Sequence, residues 1–216
     1  MGATEHPPAI YLVPIVTIPI ILFVVSSGCV ELTSAYVADT VLTDGWYENI
    51  SLRNTGSQFF GLEKWASATY ELNGQYPASL TVTTMKTLVL MDEQELQNKI
   101  EETMQSTLKQ GIQLNESVNI TGERVVLKGH KTRYMVYDGI DTTTEPFEKI
   151  KIIGEVWNCA VSGTSVVCIG MAYITNSTDN SSSDHLDNWE KIVMDSIGTI
   201  DGSTGENGLI YNVICH

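Results

Sequence analysis

Basic residues are scarce in this chain: 12 Lys and Arg stand against 26 Asp and Glu in 216 residues, a net charge of −14. The first of the basic residues is Arg53. Phosphate backbones are held by clustered Lys and Arg, so this balance excludes a nucleic-acid partner. It also disfavours docking on anionic lipid headgroups. Cysteine and histidine number four each. His6, His130, His185 and His216 show no His-x-x-x-His or Glu-x-x-His spacing, and no Cys-x-x-Cys occurs, so local spacing points to neither zinc nor thiol redox catalysis. G-x-S-x-G, a P-loop and a G-x-G-x-x-G opening a helix are all missing. Asp179, Asp184 and Asp187 lack the alternating ligand rhythm and distal Glu of a calcium loop. The reading is therefore a non-enzyme with no catalytic residue, no cofactor and no metal site.

One long hydrophobic run is present. Residues 9–28 (AIYLVPIVTIPIILFVVSSG) carry no charge, and 20 helical residues span about 30 Å, the thickness of a bilayer's hydrocarbon core. Pro14 and Pro19 are expected to kink that helix. A cleaved signal peptide normally has a basic start and a shorter apolar stretch, whereas residues 1–8 form a short tail without Lys or Arg. Ser27-Gly28-Cys29 resembles the lipidation signal of a membrane lipoprotein, which makes Cys29 the candidate lipidation site. Retained anchor, lipoprotein signal and cleaved signal all stay open. Each version is read as ending in a tethered domain, and the membrane itself is the first expected partner.

The domain is read as extracytoplasmic from five glycosylation sequons, at Asn49, Asn115, Asn119, Asn176 and Asn180. Such a compartment is oxidising and permits disulfides. The stretch 155–173 reads as a hairpin around Gly163-Thr164, the type II′ signal. In that register Cys159 lies opposite Cys168, close enough for a structural disulfide.

Residues 29–45 give no strong signal and read as a stalk. From Trp46 onward the pattern is regular. Aromatic-rich runs near 46–54 and 63–72, and the β-branched run 78–90, read as strands. Asp92 and Glu95 form a capping box, and Leu96, Ile100, Met104 and Leu108 recur at helical spacing, which predicts an amphipathic helix over 92–111. A linker at 112–121 leads to strand material at 122–139 and 148–173. A second helix is expected after a capping box at Asp187 and Glu190, with Trp189, Ile192 and Val193 on its apolar side. Residues 201–216 read as a tail with a strand-like end, able to add to a neighbour's sheet. The four tryptophans are assigned to the core. Long connections between groups of strands predict an α+β fold, an antiparallel β-sheet with packed helices, following one N-terminal transmembrane helix.

Three runs, GHKTRYMVYDG (129–139), KIKIIGEVWNCAVSGTSVVCIGMAYIT (149–175) and HLDNWEKIVMDSIGTI (185–200), resemble the second half of PsbP-like domains. DGWYENISL (44–52) and the 92–111 helix follow the same order, so the resemblance covers 46–200. It implies an α/β/α sandwich and a role as accessory subunit of a membrane complex, and it supplies no catalytic residues. The anchor, the cysteine pair and the tail depart from that family's usual pattern. The function expected is a non-catalytic, membrane-tethered interaction module with a protein partner. A small-ligand-binding lipoprotein and a structural component of a glycosylated surface assembly are the alternatives.

Overall fold

Runs rich in Val, Ile, Thr and aromatics become strands wherever a sheet face can take their side chains. In the computed structural model, which describes residues 32–74, 76–108, 111–174, 183–194 and 208–216, ten strands and two α-helices form. They are β1 Tyr36–Val37, β2 Tyr47–Glu48, β3 Asn54–Gln58, β4 Glu63–Leu72, β5 Ala78–Lys86, α1 Glu93–Leu108, β6 Ile112–Val126, β7 His130–Asp141, β8 Glu148–Cys159, β9 Thr164–Tyr173, α2 Ser183–Val193 and β10 Val213–Ile214. The N-terminal tail, the expected anchor at 9–28, Cys29, Asn176 and Asn180 lie outside these residues. Among the described residues no helix is long and apolar enough to cross a membrane.

Eight strands make one antiparallel sheet in the order β2-β4-β5-β9-β8-β7-β6, with β3 also pairing β4. This is the sheet-rich α+β arrangement expected. Side chains alternate across it. Ile150, Ile152 and Val156 of β8 pack with Leu96, Ile100 and Met104 of α1. Ile153, Trp157 and Cys159 turn the other way, toward Trp189, Ile192 and Val193 of α2. One helix therefore covers each face. The capping box forms as read: Glu95 N–H donates to Asp92 Oδ1 at 2.9 Å, and Asp92 N–H donates to Glu95 Oε2 at 2.9 Å. Helix α2 starts earlier than its expected cap, so Asp187 lies within it. Trp46, Trp157 and Trp189 are buried as expected, and Trp65 is half-buried.

Three segments expected as stalk, linker and tail are part of the folded sheet structure. The stretch read as a stalk is built in from Leu32 onward, with Ala35, Val37 and Val41 buried. Val37 N–H donates to the Tyr70 hydroxyl at 2.9 Å, and Ala35 N–H to Thr84 Oγ1 at 2.6 Å. Burial pushes the Tyr70 phenol up to about 12, so the acceptor stays neutral. The supposed linker 112–121 is the first part of β6, with a register irregularity between Leu114 and Asn119. The end of the tail pairs inside the same chain, β10 against β1, so it is not a free strand for a neighbour. Leu209, Ile210, Val213 and Cys215 are buried, and Leu209 and Ile210 N–H groups donate to the Lys191 and Ile192 carbonyls of α2.

A buried ion pair crosses the α2 face. Arg124 of β6 donates through Nε to Glu155 Oε1 at 2.9 Å and through Nη2 to Oε2 at 2.6 Å. Both side chains are almost fully buried. The Thr132 hydroxyl, on the strand between them, donates to Glu155 Oε1 at 2.5 Å. Arg124 Nη1 donates to the Val193 carbonyl, which puts a cation at the C-terminal end of α2.

Two central glycines set how closely the helices approach. A Cβ on Gly154 would overlap Ile100 of α1, and one on Gly170 would sit 2.6 Å from Ile192 Cγ2 and 2.9 Å from Ile153 Cγ2. Gly170→Ala is therefore expected to overpack the α2 interface and destabilise the fold by about 1–3 kcal/mol in urea unfolding. An unchanged midpoint would contradict this seating of α2.

Candidate functional site

The antiparallel register gathers four connections at one end of the sheet. Lys64 near the start of β4 faces Lys86 at the end of β5. Met85 faces Ser165 near the start of β9, Cys159 ends β8 against Thr164, and Arg133 near the start of β7 faces Val156. The turns at 59–62, 87–92, 160–163 and 127–129 consequently share that end. Three of them carry exposed apolar side chains: Phe59, Phe60 and Leu62, then Leu88 and Val89, then Val161. Phe59 and Phe60 hold left-handed backbone angles (φ 51° and 57°), a conformation that disfavours side chains by roughly 1–2 kcal/mol per residue.

Among the described residues, one group of cysteine and histidine side chains gathers at the same end. His130 follows a tight turn in which Lys128 and Gly129 have φ of 62° and 80°. Cys159 ends β8, and Cys215 and His216 follow β10. Leu127 N–H donates to the Tyr211 carbonyl and Lys128 Nζ to the His216 carbonyl at 3.0 Å, which fastens the last segment to this turn. The ligand atoms of His130, Cys159, Cys215 and His216 all lie within 4.8 Å of one another. Both cysteines are buried, His130 is half-buried and His216 is exposed. The two imidazoles meet edge-on, with centroids 5.5 Å apart. Burial, with His216 and Lys128 adding to it, holds His130 below the usual imidazole range, so its ring is neutral at pH 7.

Here the expected cysteine pairing is corrected. The disulfide joins Cys159 to Cys215, with Cα atoms 6.4 Å apart, and Cys168 is a free, buried thiol. The hairpin turn is not the two-residue Gly163-Thr164 loop. Four residues, 160–163, make it, closed by Gly163 N–H donating to the Cys159 carbonyl at 2.9 Å, with Gly163 at φ 64° in the last loop position. Cys168 then faces Glu155 rather than Cys159. The slip is even, so both cysteines keep the same sheet face but are separated along the strand. Burial, aided by the Glu155 charge, pushes the Cys168 thiol far up and makes it a poor nucleophile.

The other expected site residues are dispersed. Asn49 is half-buried. It caps a short turn through Ser51, and its Nδ2, the atom a glycan would join, donates to Glu71 Oε2 at 2.8 Å. Asn115 is exposed at the β6 irregularity, and Asn119 pairs with Tyr137. No spacing rule relates 130, 159, 215 and 216, so their meeting was visible only after folding.

In non-reducing peptide maps, Cys159 should be recovered linked to Cys215, with Cys168 alkylated only after unfolding. Closing a loop with a sequence separation of 56 corresponds to about 4 kcal/mol in the chain-entropy account, so reduction should lower the unfolding midpoint clearly. A Cys159–Cys168 peptide would contradict the register.

No family model matches the chain, and neither a curated protein nor a solved structure matches it.

Proposed function

We propose that this chain is a non-catalytic interaction module, tethered to a membrane through 9–28 and facing the extracytoplasmic side, where it serves as an accessory subunit of a membrane or surface complex. The observation that carries the reading is the apolar end of the sheet. Exposed apolar groups of separate turns gathered at one end are the mark of a protein contact. Phe59 and Phe60 are held outward by backbone angles that side chains normally avoid, and such outliers concentrate where a protein works. The acidic remainder of the surface keeps the module soluble and favours a partner whose contact rim is basic. A PsbP-like ancestry agrees with the element order and with one helix on each sheet face, and remains part of this proposal. Tethering raises the local concentration of the partner, so a modest apolar contact suffices.

The experiment is copurification of the full chain from membranes in mild detergent, beside a Phe59→Ser/Phe60→Ser variant whose circular dichroism matches wild type. Wild type should bring down a stoichiometric protein that the variant loses. Recovery of the wild type alone, or equal retention by the variant, contradicts the reading.

A further inference from the structure

We propose that the dithiol form of this chain binds one zinc ion through His130 Nε2, Cys159 Sγ, Cys215 Sγ and His216 Nδ1. This site goes beyond the interaction role and does not depend on it.

The donor set is the first argument. Two thiolates and two imidazoles form one of the standard tetrahedral zinc sets. Two thiolates also balance the dication's charge, which matters where both sulfurs are buried.

The distances are the second. Bond lengths of about 2.3 Å to sulfur and 2.0–2.1 Å to nitrogen give a tetrahedron with N···S edges of about 3.6 Å and an S···S edge of about 3.8 Å. Three N···S edges already have that length: His130 Nε2 to Cys215 Sγ is 3.5 Å, His216 Nδ1 to Cys159 Sγ is 3.3 Å, and His216 Nδ1 to Cys215 Sγ is 3.6 Å. The two sulfurs must part, and the remaining pairs of ligand atoms lie within 4.8 Å of one another. The 6.4 Å between their Cα atoms lies near the wide end of the disulfide range, so χ1 adjustments supply most of the room. Both rings already present the ligating nitrogen to sulfur.

Support and access are the third. The Lys128 ammonium donates to the His216 carbonyl and Leu127 N–H donates to the Tyr211 carbonyl, so the last segment is held against the β6–β7 turn by groups that are not ligands. His130 borders an open depression of about 450 Å³ beside the hairpin turn, and His216 is exposed, so an ion has a path in. Cys168 cannot substitute, since it is buried against Glu155.

The chemistry balances. A small dithiol reductant delivers two electrons and two protons to the Cys159–Cys215 bond and leaves as its own cyclic disulfide. Zinc then displaces one proton from each thiol, and two protons are released to solvent. The last segment is clamped to β8 in both forms, by a covalent bond or by the metal. Oxidation and zinc occupancy exclude each other because both use the same two sulfurs.

The test uses the detergent-solubilised full chain, stripped with a chelator, in reduced and oxidised forms. Zinc is titrated in competition with a chromophoric chelator, and cobalt(II) reports geometry. The reduced protein should take one equivalent and give the intense visible bands of tetrahedral cobalt–thiolate, while the oxidised protein takes none. His130→Ala and His216→Ala should each weaken zinc by at least about tenfold, as far lesser changes around metal sites do, and Cys168→Ala should change nothing. Should Cys159 or Cys215 variants fail to fold, the His216 variant, exposed in the parent, carries the test. Absence of saturable binding by reduced wild type, an octahedral cobalt spectrum, equal binding by the oxidised form, or full affinity in both His variants would each overturn the site.

Discussion

The Arg124–Glu155 pair is the constraint on which the rest of this structure depends. Two charges taken out of water destabilise a fold unless their geometry is good and the remaining hydrogen-bonding capacity is filled. Here the fork is bidentate, Thr132 adds a donor to the carboxylate, and the guanidinium also reaches the Val193 carbonyl. Those contacts tie β6, β7, β8 and the end of α2 into one arrangement. A register slip in any of the three strands would strand a charge in an apolar face. Helix α2, held there, presents its last carbonyls to Leu209 and Ile210. That pairing directs the final residues across the core to β1, and it brings Cys215 to Cys159. The order of dependence thus runs from one ion pair, through one helix end, to the cysteine and histidine cluster.

Much of this fold is legible in residue pattern, because its signals are local. Asp92, Glu95 and the Leu96-Ile100-Met104 spacing specify α1 within a few turns of chain. The β-branched run at 78–86 and the Ile-rich run at 148–157 specify strands in the same way. What escapes has a non-local cause. Val37 and Val41 look like part of a spacer until Tyr70, Thr84 and β10 are folded beside them. Residues 112–121 read as a linker because their sequons and polar residues conceal a strand at the sheet's edge, where one side faces water. Arg124 and Glu155 are ordinary charged residues in the sequence, and only the β6-β7-β8 order makes them meet.

The cysteines show how a small local error decides a pairing. A hairpin signal at Gly163 is real, since that glycine has positive φ, yet it closes a four-residue turn instead of opening a two-residue one. Parity was preserved, so the sheet face of Cys168 was right while its partner was wrong. Cys215 carried no signal at all, because its neighbourhood is built by α2 and β10 from opposite directions. The sheet end that carries the exposed apolar turns has the same origin. Turns far apart in sequence share one sheet end because every neighbouring pair of strands is antiparallel, and this places the outward phenylalanines and the Cys/His cluster on a common rim.

A double-mutant cycle on Arg124→Met and Glu155→Leu measures the central constraint directly. Each single change leaves the other charge buried without its partner and should lower unfolding free energy by about 3–5 kcal/mol. The double variant, with neither charge, should be more stable than the sum of the singles requires by at least about 2 kcal/mol. Additive losses within about 0.5 kcal/mol would show two independent groups and contradict the account.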